Sequence, residues 1–178
     1  YPETPSSTET QDHQPGVQTK MDPAPEIIKP HYKGSEKLKG KVALITGGDS
    51  GIGRSVSVLF AREGADIAIC YLDEDQDARD TKKMVEDEGR RCLLIQCDLQ
   101  DQDEIKKMVE QTLQEFKTIN ILVNNAGILY SGPFEDTTIA AHHRTLDINV
   151  KGVMNGCHAA FPYLKESSFA RIINLSSA

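Results

Sequence analysis

The sequence has no apolar run near the ~18 residues that a bilayer-spanning helix requires, so no membrane is expected among its partners. It has no surplus of positive charge: acidic residues outnumber basic ones 27 to 20, and the formal net charge is −7. A nucleic-acid surface needs clustered Lys and Arg, so nucleic acid is not expected either. Cysteine is sparse. Cys70, Cys92, Cys97 and Cys157 form no C-x-x-C pair, and each falls in a strand or helix pattern. Free buried thiols in a reducing compartment are expected, with no metal site. His142 and His143 have no partner at a ligand spacing and are expected at the surface. Arginine is absent before Arg54, and the first residues carry Glu3, Glu9 and Asp12 without an apolar core. Neither a secretory signal nor an Arg-rich transit peptide fits that pattern, and a cytoplasmic location is the expectation. There is also no Gly-Lys-Ser/Thr, which excludes the ATPase phosphate loop.

What is present divides into two parts. Residues 1 to about 38 hold six of the eight prolines among Ser, Thr and Gln. Such a segment buries little apolar surface, so an extended or disordered arm is expected, with Ile27–Tyr32 as its one adhesive patch. Residues 39–178 form a single domain of alternating strands and helices. The expected strands are Val42–Thr46, Ile67–Tyr71, Cys92–Cys97, Ile119–Val123 and Arg171–Leu175. Helices are expected over Gly51–Glu63, Gln76–Glu88, Asp101–Phe116 and about Thr138–Lys165, the last kinked or shortened by Pro162.

The apolar faces are expected at Ile52, Val56, Leu59 and Phe60 in the first helix and at Ile105, Met108, Val109 and Leu113 in the third. In the long helix the stripe reads Leu146, Val150, Val153, Met154, Cys157, Phe161 and Leu164. The acidic run Asp73–Asp77 reads as a solvated helix start. Strands without a polar face, each followed by a helix, imply an α/β fold. The expected architecture is a Rossmann-like doubly wound parallel sheet, with ligands at the carboxyl ends of its strands.

The stretch KVALITGGDSGIG, Lys41–Gly53, runs from a strand through a glycine loop into a helix. That arrangement places an anion on a helix N-terminus, where unpaired N–H groups and the helix dipole favour it. A glycine loop alone is weak evidence. The combination is more specific: TGGDSGIG at 46–53, Asp98 after the third strand, NNAG at 124–127, Asn149 within LDINVKG, and INLSS at 173–177. In that order and spacing, residues 40–178 resemble the short-chain dehydrogenase/reductase family. Together with the N-terminal arm they resemble its branch of general-stress oxidoreductases and glucose and ribitol dehydrogenase homologues.

The resemblance implies five strands in the order 3-2-1-4-5, with later strands missing, and an NAD- or NADP-dependent hydride transfer to or from a small-molecule alcohol or carbonyl. It implies that Thr46, Gly47, Ser50, Gly51, Ile52 and Gly53 surround the pyrophosphate. Asp98 would bind the adenine amine, and Asn125, Ala126 and Gly127 would line the adenosine ribose. Asn149 would hold a relay water, and Ser177 would bind the substrate oxygen. Asn124 is expected to be structural. Asp98 read by itself could equally be a loop acid before the third helix.

NAD and NADP are distinguished by an acid or a base at the end of the second strand. That position is Tyr71, followed by Leu72, and Arg54 is expected to face solvent more often than a phosphate. The cofactor is therefore expected to be NAD or NADP, without a choice between them. The family's tyrosine has a lysine four residues later, and none of the five tyrosines here does. The chain is expected to be a piece of a longer enzyme, marginally stable and inactive alone, whose full form is a homo-oligomer, a dimer or a tetramer. A non-catalytic nucleotide-binding protein is the alternative if the chain ends here.

Overall fold

The computed structural model describes residues 25–29, 31–130 and 133–176. Residues 1–24 of the expected arm and Ser177 lie outside the described residues. Five parallel strands, β1 (Val42–Thr46), β2 (Asp66–Tyr71), β3 (Cys92–Gln96), β4 (Ile121–Asn124) and β5 (Arg171–Asn174), form one sheet in the order β3-β2-β1-β4-β5. The helices are α1 (Gly51–Arg62), α2 (Asp75–Asp87), α3 (Gln102–Phe116), α4 (Ile139–Leu146) and α5 (Val153–Leu164). A π-helical turn at Asp147–Gly152 joins the last two. This is the expected doubly wound order.

Alternation along β1 divides the core. Val42 and Leu44 pack with Ala68, Met108 and Leu164 on one face, which α3 and α5 cover. Ala43 and Ile45 pack with Ile67, Ile69, Val58 and Val85 on the other, under α1 and α2. The order in which strands are added to the sheet reverses between β1 and β4, and a crevice opens at their carboxyl ends there. β5 is the outer strand, and its four residues are all exposed.

Two apolar faces differ from expectation. In α1, Val56 and Phe60 pack against the core as expected, but Ile52 is 66% exposed, and the fully buried side is Gly53, Arg54, Ser57, Val58 and Ala61. In the long helix, Leu146, Val150, Met154 and Phe161 are exposed, whereas Ile148, Gly152, Gly156, Ala160 and Leu164 are buried. The reason is the same in both. A helix lies close to a sheet where its side chains are small, which turns the bulky residues outward. The α3 face follows the expected stripe, with Ile105, Met108 and Val109 buried. Pro162 is accommodated inside α5, two residues from its end. All four cysteines are free, but Cys157 is half-buried rather than buried.

The visible part of the arm is docked. Ile27 and Ile28 pack against the core beside α1 and α2. Glu63, at the end of α1, accepts from the Tyr32 hydroxyl, from Ser35 N at 3.0 Å and from Lys37 N at 3.1 Å. Arg62 donates to the carbonyls of Lys29 and Tyr32. The Tyr32 hydroxyl first, then the Lys37 backbone N–H, hold the Glu63 carboxyl down at about 2, against an ordinary value of 4.5. A depressed folded value contributes stability above the unfolded value, and that contribution is lost as pH falls through the folded one. The arm is therefore expected to loosen between pH 4.5 and about 2. Peptic cleavage within residues 25–40 should rise over that window, and Glu63→Gln should show the same lability at neutral pH with another protease.

Candidate cofactor-binding site

The glycine loop turns on Gly47, at φ +61°, whose N–H donates to Cys70 O at 2.7 Å and ties the loop to β2. Ser50 then opens α1 in an extended conformation, and its side chain makes no capping hydrogen bond. The first turn of α1 carries no acidic residue. By contrast, Asp101 caps α3 through Asp103 N and Glu104 N, and Thr138 caps α4 through Ala141 N. α1 thus begins without a cap from the Ser50 side chain and without an acid in its first turn, which suits a phosphate.

The opposite wall is held by a side-chain clasp. The Thr46 hydroxyl accepts from Asn125 N and Ala126 N, both at 3.1 Å. The Asn125 amide donates to Thr46 O at 3.0 Å and Gly47 O at 2.8 Å. Both side chains are committed to protein groups, so they shape the crevice. Asn124 bridges strands, donating to Asn174 Oδ1 at 2.8 Å. Gly53 sits behind the loop, packed so closely that a Cβ there would lie 1.9 Å from Gly47 O.

Arg54 faces neither solvent nor phosphate. It is buried, with Nη2 2.8 Å from Asp77 Oδ1 and Nε donating to Thr81 Oγ1 and Asp49 O. The Thr81 hydroxyl also donates to Asp49 O at 2.6 Å. α2 thereby grips the middle of the glycine loop. Asp77 is correspondingly no part of a solvated acidic run: its side chain is wholly buried.

Between these walls lies a cleft of about 160 Å³ at the carboxyl ends of β1 to β4. Of the residues singled out from the sequence, Gly47, Ser50, Tyr71, Asp98, Asn125, Ala126 and Gly127 line it. Thr46, Gly51, Ile52, Gly53 and Asn149 do not. Of the two parts expected of Asp98, the structure shows the loop acid before α3. It lines the cleft, and its carboxylate also accepts from Gln100 N at 2.9 Å in the turn before α3.

The profile of the family described as short chain dehydrogenase matches residues 41–178. The chain belongs to the short-chain dehydrogenase family. It is 49% identical to General stress protein 39 of Bacillus subtilis (strain 168) over 95% of this chain and 59% of that protein. It is 40% identical to glucose and ribitol dehydrogenase of Daucus carota, over 94% of this chain and 59% of that one. A short chain dehydrogenase from Burkholderia cenocepacia J2315, solved in complex with NADP, superposes with a TM-score of 0.76. That match has 36% identity and covers 80% of this chain and 57% of the other. The chain thus spans less than two thirds of the length of these relatives.

Two features of this dehydrogenase chain carry little sequence signal. Asn149 lies in the π-turn, and its side-chain amide pairs twice with one residue of the NNAG-I loop. It accepts from Ile128 N at 2.9 Å and donates to Ile128 O at 2.7 Å. The second feature is acidity at the cleft. Asp49, 4% exposed, lines it, and burial raises its pKa. Glu74 also lines it, with a carboxyl pushed up to about 7 by burial and by Asp73. An acid inside a glycine loop was the one available hint for Asp49. Among the described residues, no helix is long and apolar enough to cross a membrane, and no group of three or more His, Cys, Asp and Glu is placed to hold a metal.

Proposed function

We propose that the full-length protein is an oxidoreductase that uses NAD or NADP to interconvert an alcohol and a carbonyl, with sugars, polyols or small aldehydes as substrates. The observation that carries this reading is the uncapped N-terminus of α1, set beside a cleft bordered by Asp98. The pyrophosphate would rest on the N–H groups from Ser50 to Gly53, and the adenine amine would donate to Asp98. Gly47, Gly51, Asn125, Ala126 and Gly127 would keep the backbone close, and Tyr71 would flank the adenosine. A nicotinamide bound there would supply or accept the hydride. Ser177 would hold the substrate oxygen. The Asn149 amide is occupied by Ile128, so the relay water would sit on its main-chain carbonyl.

These 178 residues hold no Tyr-x-x-x-Lys pair, and the reading assigns the proton transfer to none of them. The exposed Leu146, Val150, Met154 and Phe161 supply an apolar face suited to a homo-oligomer. Division into an arm of residues 1–38 and a dinucleotide-binding domain of 39–178, with the protein in the cytoplasm, completes the reading.

The test is turnover. Full-length protein should oxidise reduced nicotinamide, followed by its absorbance, when given small aldehydes or keto sugars. The 178-residue chain alone should give none. A full-length protein that binds neither NADH nor NADPH would sink the proposal.

A further inference from the structure

We propose that Asp49 grips the adenosine ribose diol and excludes a 2′-phosphate, so that the site selects NAD(H) over NADP(H). This rests on the dinucleotide reading above and adds the choice that the residues at the end of β2 leave open.

In an open α/β sheet the selecting acid stands at the end of the second strand, where it accepts hydrogen bonds from the ribose hydroxyls and repels a phosphate. Here that position is Tyr71, whose hydroxyl donates to Asp75 at 2.9 Å. The carboxylate comes instead from the glycine loop. Asp49 lines the same cleft as Tyr71 and Leu72, and its charge acts on both Cys70 and Tyr71. Asp49 thus shares one cleft with the end of β2, where the strand-end acid is missing.

Its surroundings favour a neutral donor over an anion. The main chain of Asp49 is held from behind, its carbonyl taken by Arg54 and Thr81. Its carboxylate has no ion pair among the described residues, because the nearby Arg54 guanidinium is bound to Asp77. The Ser50 hydroxyl and the Asp49 N–H offset burial only in part, which leaves a carboxylate short of donors. A cis-diol brings two. A 2′-phosphate would bring at least one more negative charge to Asp49 and Glu74 in a partly desolvated cleft.

The experiment measures dissociation constants of NADH and NADPH for the full-length protein by nicotinamide fluorescence, alongside Asp49→Asn and Asp49→Ser. Thermal melts verify that each variant folds. Wild type should bind NADH at least about tenfold tighter than NADPH. Both variants should weaken NADH and tighten NADPH, shifting the ratio by about tenfold or more. Equal or tighter NADPH binding by wild type, or an unchanged ratio in both folded variants, overturns the assignment to Asp49 while leaving dinucleotide binding intact. Binding of neither cofactor overturns the underlying reading instead, and this one with it.

Discussion

Arg54→Ala is expected to lower the unfolding free energy by about 3–5 kcal/mol, measured by urea denaturation of the full-length protein. The value is large because of what the substitution leaves behind. Arg54 and Asp77 are 5% and 0% exposed, so the arginine is the cation facing a wholly buried carboxylate. The same side chain bonds the Asp49 carbonyl and the Thr81 hydroxyl, so its loss leaves Thr81 alone to hold the centre of the glycine loop. Dinucleotide affinity should fall with stability.

A control separates charge burial from packing. Removing both charges, as Arg54→Met with Asp77→Leu, exchanges the ion pair for apolar contact and should recover much of the loss, since apolar replacements of buried pairs are often neutral. Stability would return with only Thr81 holding the Asp49 carbonyl, so cofactor binding should stay weaker than in wild type. A single-variant cost below about 1 kcal/mol would place the pair among exposed ones and refute this account.

The second large effect concerns two glycines of one loop that differ in their surroundings. A Cβ on Gly53 would stand 1.9 Å from Gly47 O and 2.6 Å from Asn125 Nδ2. The Gly47 contact is backbone, and the Asn125 amide is pinned by two carbonyls, so α1 must move away from β1. Gly53→Ala should therefore cost about 3 kcal/mol, the upper end for overpacking, and disrupt the phosphate seat. Gly51 has open space around its would-be Cβ but a φ of +54°. Gly51→Ala should cost only the left-handed penalty of about 1–2 kcal/mol. Calorimetry of the two variants compares the mechanisms directly, and equal costs would mean that the close approach at Gly53 is not what its glycine provides.

The doubly wound parallel sheet and the location of the crevice were legible because they depend on pattern, whereas the strand order was implied by the family resemblance. Runs such as Val42–Thr46 have no polar face, and each is followed by a helical stretch, so parallel pairing and coverage on both sides leave few topologies. Asp98 and the NNAG loop were legible by their order along the chain. The α1 face was misread because hydrophobicity ranks Ile52 and Leu59 above Gly53, Ser57 and Ala61. Contact with a sheet is decided by which residues let the backbones approach. In the long helix the π-turn adds a further error: it breaks the 3.6-residue period at Asn149, so one stripe cannot describe both ends.

The Arg54–Asp77 pair is invisible for a different reason. Twenty-three residues separate its members, and each reads as a surface charge until α1 and α2 are packed together. Thr46 and Asn125 were singled out as cofactor residues, and the structure shows them bonded to each other's backbone. Their side chains turned inward because the carbonyls at the end of β1 and the N–H groups after β4 need partners where the two strands diverge.

The clasp formed by Thr46 and Asn125 has a consequence for how a ligand meets this crevice. Its hydrogen bonds close entirely within the protein, so the shape of the loop does not wait for a guest to supply missing partners. Association then forfeits little backbone freedom on that wall, and the entropy of ordering is paid during folding. The empty and filled forms should share one loop conformation, which makes this wall a rigid template.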